Sequence, residues 1–234
     1  MKPLHILHTE AAAGWGGQEI RVFQEALLLL ERGYRVSIIC QTDSPLETNC
    51  RSISNSRFHF KSIPMKKVMN LEAFVALYRY VSKNSFDIIH THSSVDSWLG
   101  GIVGKLSKVP VVRTRHVSLP VKDFFPNHLL YSHIPKRILT SGSIVSEIIK
   151  QIRCVDSSNV VSVPAGVDLR KFNSSISGEK IREELKVGSD QFLVGKVGVI
   201  RGWKGHNYFL EAIPLILKEV PQARFVIVGD GPGF

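Results

Sequence analysis

The sequence predicts an α/β fold in which helices cover both faces of a parallel sheet, followed by the start of a second unit of the same kind. Short apolar runs alternate with longer stretches whose apolar residues recur at three- and four-residue spacings, and Gly or Pro bounds most of them. An irregular stretch interrupts this alternation late in the chain, and the alternation then resumes. Strands separated by helices are typical of βαβ units.

The elements of the first unit follow from these patterns. Strands are predicted for the runs LHILH, RVSIIC, RFHFKSI, FDIIHTH, VPVVRTR, RILTS and NVVSVP. Helices are predicted for QEIRVFQEALLLLERGY, residues 70–84, DSWLGGIVGKLSK and GSIVSEIIKQI. In the first helix Ile20, Phe23 and Leu27 lie on one face, and Gly33 ends it. A polar loop is expected after RVSIIC, and a less regular segment after VPVVRTR.

A stretch rich in Pro, Gly, Ser and charge, VPAGVDLRKFNSSISGEK, marks the break. We therefore expect a first domain over residues 1–163, a linker over residues 164–190 and an incomplete second domain over residues 191–234. The second domain is predicted to contain the strand FLVGKVGVI, the helix GHNYFLEAIPLILKEV and the strand ARFVIVG, with REELK as a helix just before it.

Composition limits the functional classes. The formal net charge of +10 favours anionic partners, but no recognised nucleic-acid motif accompanies it, so no nucleic-acid partner is expected. The three cysteines form no CxxC pair, which indicates neither a disulfide framework nor a metal site. No apolar run approaches the roughly 18 residues of a membrane span. We expect a cytoplasmic protein.

Six motifs in chain order carry a resemblance to a known family: GWGGQE, FDIIHTHSS, VPVVRTRHVS, SVPAGVDLRKF, VGVIRGWKGHNYFLEA and FVIVGDGPG. Together they resemble the GT-B glycosyltransferases of glycosyltransferase family 4 (group 1), over essentially the whole chain. The resemblance implies two Rossmann-like domains facing across a cleft, the first for the acceptor and the second for a nucleotide-sugar donor. It also implies transfer with retention of anomeric configuration.

The resemblance further implies the substrates. The donor is expected to be a UDP- or GDP-sugar with no other cofactor, and the acceptor a saccharide or lipid-linked saccharide of cell-envelope polysaccharide or lipopolysaccharide synthesis. The leaving diphosphate needs cationic side chains and helix N-termini for its stabilisation. The basic composition of the chain suits that chemistry.

Candidate site residues of the first domain lie where predicted strands end. Gly16 and Gly17 resemble the family's glycine-rich loop, where backbone approaches the acceptor or donor. His116 resembles the family's active-site histidine, which contacts the transferring sugar. His92 is a candidate for the acceptor pocket, while His90 is expected to point into the sheet. A dinucleotide fingerprint is disfavoured because its third glycine is missing after Gly14.

In the second domain Lys204 matches the family's donor-phosphate lysine, and Gly205 follows it. The usual partner arginine directly follows the strand glycine, where this chain has Val199. Arg201 is predicted to take over the phosphate contact, because a long flexible side chain tolerates such a shift.

The run RFHFKSIPMKK, residues 57–67, contains no acid. Its alternation predicts an edge strand with Phe58 and Phe60 turned inward. A second hypothesis is contact with an anionic membrane surface, at the inner face of the plasma membrane, where a lipid-linked acceptor would lie.

The family's pair of donor-side glutamates has no counterpart before the chain ends at GDGPGF. We therefore expect a C-terminally truncated enzyme that is inactive by itself. Two alternatives stay open: a non-catalytic fragment or binding remnant, and a nucleotide-sugar epimerase of GT-B architecture. Whether the chain is an enzyme is left undecided. An NAD-dependent oxidoreductase is disfavoured by the incomplete glycine fingerprint.

Overall fold

The computed structural model describes residues 3–67 and 70–231 and separates the chain into two compact units, Met1–Gly166 and Val167–Phe234. The strands of the first unit are β1 (His5–Glu10), β2 (Arg35–Gln41), β3 (Phe58–Ile63), β4 (Ile88–Thr91), β5 (Val111–Arg115), β6 (Arg137–Thr140) and β7 (Val160–Ser162). Its helices are α1 (Gly17–Glu31), α2 (Pro45–Arg51), α3 (Leu71–Lys83), α4 (Ser94–Leu106), α5 (Phe125–His128) and α6 (Ser143–Lys150). A π-helical turn, Leu129–His133, follows α5.

The seven strands form one sheet in the order β3-β2-β1-β4-β5-β6-β7, and every neighbouring pair is parallel. From β1 the chain builds outward to β3, then returns to the other side of β1 and continues from β4 to β7. The strand order therefore reverses between β1 and β4. Ligands of such sheets bind outside the carboxyl ends of the strands at this reversal.

Two apolar layers cover the faces of this sheet. On one face Val36 and Ile38 of β2 pack with Val22 and Ala26 of α1. On the other face the cluster draws on β1, β2, β4 and β5 together with α3 and α4. Its fully buried members include Leu7, Ile39, Ile89, Leu77 and Val103. Because both faces are covered, the parallel sheet is a buried layer, as its apolar strands predict.

Two helices were not predicted. The expected polar loop after β2 contains α2, where Ser44 Oγ accepts a hydrogen bond from the backbone N of Glu47 at 3.2 Å. Pro45 occupies the first turn. Ser-x-x-Glu with Pro after the Ser is typical of a helix start. The sequence therefore indicated α2 by its capping residues and not by a periodic apolar pattern. The short α5 and its π-helical turn lie in the segment expected to be irregular.

The edge position predicted for RFHFKSI is confirmed, since β3 is the outermost strand beside β2. Phe58 is buried and Phe60 is half-buried, whereas His59 and Lys61 are exposed. Arg57 donates a hydrogen bond to the carbonyl of Leu30 at 3.2 Å. This contact lies at the C-terminal end of α1, where a cation is favoured.

The second unit contains α7 (Glu179–Glu184), β8 (Leu193–Val197), α8 (His206–Glu219) and β9 (Arg224–Val228). β8 and β9 pair in parallel, so α8 is the crossover of one βαβ unit, as predicted. The last residues of the predicted GDGPG turn lie outside the described residues. Within residues 3–67 and 70–231, no helix is both long and apolar enough to cross a membrane.

Gly104 on α4 tests how closely this helix approaches the sheet. A Cβ atom there would lie 2.4 Å from Val111 Cγ2 and 3.1 Å from the carbonyl of Val109. We expect Gly104→Ala to lower the free energy of unfolding by about 1–2 kcal/mol, because the overpacking outweighs the gain in helix propensity. Gly14→Ala, whose Cβ would meet nothing within 4 Å, is the matched control in urea denaturation. Equal stability of both variants would contradict the close approach.

Candidate functional site

The carboxyl ends of β1, β4 and β5 form the candidate site, and these three strands are neighbours in the sheet. His92 directly follows β4, and His116 directly follows β5. Gly16 and Gly17 lie at the start of α1, after the turn that leaves β1. The predicted residues of the first unit are therefore at the edge where this sheet topology binds ligands.

Three histidine rings form a hydrogen-bonded chain across this edge. His8 Nδ1 lies 3.1 Å from His92 Nε2. His92 Nδ1 lies in turn 3.1 Å from His116 Nε2. The structure thus brings the two predicted histidines into direct contact and adds His8, which the sequence patterns did not single out. His92 uses both of its ring nitrogens in the chain.

His90 supports this chain from the interior. It is buried, as expected, and its ring centroid lies 4.2 Å from that of His92 and 5.0 Å from that of His8. Its Nε2 lies 2.6 Å from Thr114 Oγ1. His90 and His92 share one side of the sheet because residues two apart in a strand point the same way.

These imidazoles are held in the neutral form. Burial lowers the pKa of His8 and of His116, each to about 4. For His116 the charges of Arg21, Arg113 and Arg115 act in the same direction. Burial also lowers the pKa of His90 and His92 well below the ordinary value, and the neighbouring histidines add to this effect. At neutral pH the rings of His8, His92 and His116 can therefore hydrogen-bond to one another without carrying charge.

Two buried carboxyl groups lie at the same edge. Asp96 on α4 accepts hydrogen bonds from Thr9 Oγ1 at 3.0 Å, from the backbone N of His92 at 2.8 Å, and from the backbone N and hydroxyl of Ser93. Glu10 ends β1, and burial together with Asp96 raises the pKa of Glu10 to about 8. Burial likewise raises the pKa of Asp96, against the effect of its donors.

The glycine-rich loop is held by its own carboxylates. The backbone N of Gly16 donates to Glu19 Oε2 at 2.7 Å. Glu10 accepts from the backbone N of Ala12 at 2.9 Å and from the Gln18 amide at 2.7 Å. Glu19 therefore occupies part of the anion-binding capacity that the start of α1 would otherwise offer.

Arg113 is buried beneath this edge, 2% exposed. It donates to the Tyr131 hydroxyl at 3.0 Å, and its guanidinium carbon lies 4.4 Å from the Tyr131 ring centroid. Burial lowers its pKa. A cavity of about 240 Å³ opens beside Tyr131 and α4, and Trp98, Arg115 and Lys122 also line it. This cavity offers aromatic surface and positive charge within the first unit.

No metal site was predicted from the sequence, but the structure brings together three histidines that have the spacing of metal ligands. His8, His90 and His92 can each offer one ring nitrogen such that all three lie within 4.8 Å of one another. The hydrogen bond between His8 and His92 accounts for their 3.1 Å approach without a metal, since one nitrogen donates and the other accepts. Two metal ligands would both need free lone pairs.

The second unit places its predicted phosphate-binding residues at a helix start. A 3₁₀ turn, Gly202–Lys204, leads into α8. Gly205 adopts a left-handed φ of 70°, which favours glycine. Lys204 therefore lies two residues before the first residue of α8, and Arg201 directly precedes the turn. In contrast to α1, α8 has no acidic residue in its first turn.

Sequence patterns missed His8, Glu10, Asp96 and Arg113 as members of the site. Local signals were present for two of them. Ser93 and Asp96 match the Ser-x-x-Asp start of a helix, and Glu10 is an acid at the end of an apolar strand. His8 gave no signal, since a histidine inside an apolar run is most often only buried.

Comparisons with known proteins identify the family. The family model described as Glycosyltransferase Family 4 matches residues 15–171, and that described as Glycosyl transferases group 1 matches residues 177–234. The UDP-Gal:alpha-D-GlcNAc-diphosphoundecaprenol alpha-1,3-galactosyltransferase of Escherichia coli is 29% identical over 252 residues, which cover 99% of this chain and 64% of that protein.

Solved structures show the same fold. A glycosyltransferase from Rickettsia africae ESF-5 matches with a TM-score of 0.82 and 20% identity, covering 98% of this chain and 61% of that one. Anabaena Alr3699/HepE in complex with UDP and glucose matches with a TM-score of 0.74 and 16% identity, covering 97% of this chain and 61% of that one. The predicted GT-B fold class is confirmed. The chain spans somewhat less than two thirds of the length of these relatives.

The neutral state of His8 makes stability depend on pH in a defined direction. The pKa of His8 is about 4 in the folded chain, below the ordinary 6.5. At pH values between these two, His8 is protonated in the unfolded chain but not in the folded chain. Stability from this group is present above pH 6.5 and is lost as pH falls toward 4. When the pH falls from 6.5 to 5, the unfolding free energy of both proteins should decrease. We expect the decrease to be about 2 kcal/mol smaller for His8→Leu than for wild type.

Urea denaturation at both pH values measures this difference. His59→Leu, which removes an exposed histidine from β3, is the control and should keep the wild-type dependence. Parallel pH dependence of His8→Leu and wild type would contradict the buried neutral state of His8.

Proposed function

This chain belongs to glycosyltransferase family 4, and from that premise we propose that it takes part in transferring a sugar from a nucleotide-sugar donor to a saccharide or lipid-linked acceptor, with retention of configuration. The observation that carries the proposal is the gathering of Gly16, Gly17, His92 and His116 at the carboxyl edge of β1, β4 and β5. The first unit then serves the acceptor, and the second serves the donor.

His116 is proposed to contact the transferring sugar. It follows β5 at the ligand-facing edge, is half-buried, and is neutral at physiological pH. Its Nε2 is bonded to His92, and the one remaining nitrogen of a neutral imidazole suits a single hydrogen bond with a sugar hydroxyl better than a contact with a diphosphate. Burial, and after it the charges of Arg21, Arg113 and Arg115, lower the pKa of His116, so its proposed role does not depend on becoming a cation.

The donor diphosphate is proposed to bind at the start of α8. Positive partial charge at a helix N-terminus and a lysine beside it both attract phosphate. Lys204 is exposed, Gly205 allows a close backbone approach, and no carboxylate competes in the first turn. Arg201 would supply the second cation. A UDP- or GDP-sugar fits this arrangement, and the complex of Anabaena Alr3699/HepE with UDP and glucose supports the first of these.

The start of α1 suits a different ligand. Glu19 already accepts from the Gly16 backbone N, and Glu10 lies in the same turn. Carboxyl groups, whether protonated or ionised, hydrogen-bond to hydroxyl groups, and they give a phosphate no favourable charge. We therefore assign the glycine-rich loop to sugar hydroxyls, and it is to this loop and His92 that the acceptor is proposed to bind.

The acceptor is proposed to be lipid-linked, in cell-envelope polysaccharide or lipopolysaccharide synthesis. The related Escherichia coli enzyme acts on a diphosphoundecaprenol-linked sugar. Such an acceptor would bring the protein to the inner face of the plasma membrane. The exposed His59 and Lys61 of β3 are proposed contacts for anionic lipid, while Arg57 is already bonded to α1.

Donor binding tests the role of Lys204. Calorimetric titration with UDP-glucose and with a GDP-sugar should show binding that Lys204→Ala weakens by roughly tenfold or more, because a charge-assisted phosphate contact is lost. Lys218→Ala removes an exposed lysine from the last turn of α8 and should bind like wild type. Equal weakening in both variants would indicate a nonspecific charge effect and contradict the proposed phosphate site.

Turnover tests the role of His116. In an active full-length enzyme that contains this chain, with a diphosphate-linked saccharide acceptor, we expect His116→Ala to lower kcat by on the order of a hundredfold. The affinity for the free nucleoside diphosphate should stay unchanged, since the contact acts on the transferring sugar. The anomeric configuration of the product, read by NMR, tests retention. Interconversion of the nucleotide sugar in the absence of any acceptor would instead support an epimerase.

A further inference from the structure

We propose that His92, oriented by His8, is a positioning residue that holds His116 as the Nδ1–H tautomer. In this tautomer His116 Nε2 accepts the hydrogen bond from His92 Nδ1. The inference deepens the proposed function, because it states which nitrogen of His116 faces a ligand as a donor. It rests on that function for its consequence, but the tautomer itself follows from the contacts of the three rings.

The connectivity of the rings couples their tautomers. A neutral imidazole carries one N–H, so each 3.1 Å contact between rings has one donating and one accepting nitrogen. His92 takes part in both contacts through different nitrogens. If its Nε2 accepts from His8, its Nδ1 must carry the proton and donate to His116. If its Nε2 donates to His8, its Nδ1 must accept, and both contacts reverse together.

His8, the buried end of this row of histidines, determines which nitrogen donates in each contact. His8 is 0% exposed, and its Nε2 has no hydrogen-bond partner among the residues that the structure describes. A proton on that nitrogen would be a buried N–H group without an acceptor, which is rarer in proteins than an acceptor without a donor. The proton of His8 therefore belongs on Nδ1, where it is donated to His92 Nε2.

The consequence appears at the other end of the chain. His92 Nδ1 then donates to His116 Nε2, so the proton of His116 lies on Nδ1. Histidine in water favours the opposite, Nε2–H tautomer. The chain thus reverses the ordinary preference and presents Nδ1–H to a ligand oxygen, while Nε2 cannot act as a base unless its hydrogen bond to His92 breaks.

His90 completes the arrangement without joining the chain. Its Nε2 bonds to Thr114, and its Nδ1 lies 3.7 Å from Glu25 Oε1. Its ring packs against the rings of both His8 and His92. The packing limits rotation of the two rings whose nitrogens must stay aligned.

Long-range ¹H–¹⁵N spectra of the whole chain with ¹⁵N-labelled histidine identify the protonated nitrogen of each ring, and His116→Gln assigns the His116 signals. In wild type we expect the Nδ1–H form for His116. In His92→Leu the spectrum should move toward Nε2–H, since His116 loses its donor. In His92→Asn, whose amide places an N–H near the former Nδ1, the Nδ1–H form should return.

The contribution of His8 has its own variant and control. His8→Leu should move the His92 Nε2 resonance, because that nitrogen loses its donor. His5→Leu removes a buried histidine from the same strand whose ring bonds to Ser37 Oγ at 2.8 Å instead, and it should leave the His92 and His116 signals in place.

An Nε2–H form of His116 in the wild-type protein overturns the proposal, and this result needs no variant to fold. An unchanged His116 tautomer in folded His92→Leu, or an unmoved His92 signal in folded His8→Leu, overturns it as well. None of these spectra depends on turnover, so failure of the proposed function is seen separately.

Discussion

The hydrogen bonds to the Asp96 carboxylate are the interaction on which the site depends. They join Thr9 of β1, the backbone of His92 after β4, and Ser93 at the start of α4. Two segments that are distant in sequence, the end of β1 and the turn between β4 and α4, are thereby fixed at one point of the sheet edge. The direction in which the chain leaves β4, and with it the position of the His92 ring, follows from this one carboxylate. Burial opposes its charge and raises its pKa, and its hydrogen-bond donors offset part of that cost.

The buried histidines and Glu10 at this edge are in their neutral forms and do not rely on pairing with opposite charges. The histidines are neutral, and the raised pKa of Glu10 favours its protonated form up to about pH 8. Such groups can be buried beside the apolar clusters on both faces of the sheet at lower cost than ions. Glu10 and Glu19 contact the glycine-rich loop, whereas Arg113 of β5 is buried.

Much of the fold could be predicted because it depends on periodicity. Most strands of the sheet are apolar runs, β3 alternates apolar and polar residues, and the long helices α1, α3 and α4 carry apolar spacings. The helix α2 was missed because its signal lies in Ser44, Pro45 and Glu47, which are polar or helix-breaking residues when counted singly. The edge strand RFHFKSI was correct because alternation alone distinguishes a half-exposed strand from a buried one.

The site could be predicted only in part, for a physical reason. The carboxyl ends of neighbouring parallel strands share an edge, so the positions of His92 and His116 followed from strand boundaries. Their contact depends on register, which pairs Thr91 with Arg113, and on the direction of each ring. The register that pairs His8 with His90 likewise places His8 in this cluster. Pairing of strands distant in sequence leaves no pattern in either strand alone.

The starts of α1 and α8 differ in the charged groups that surround them. Both α1 and α8 follow glycines, and by sequence both resemble phosphate-binding loops. The structure distinguishes them by what their first backbone N–H groups meet: Glu19 occupies the start of α1, whereas Lys204 and Gly205 precede α8, which has no acid in its first turn. A diphosphate would displace a carboxylate at α1 but would meet only favourable charge at α8. On this basis the same glycine signature is proposed to serve hydroxyl recognition in the first unit and phosphate recognition in the second.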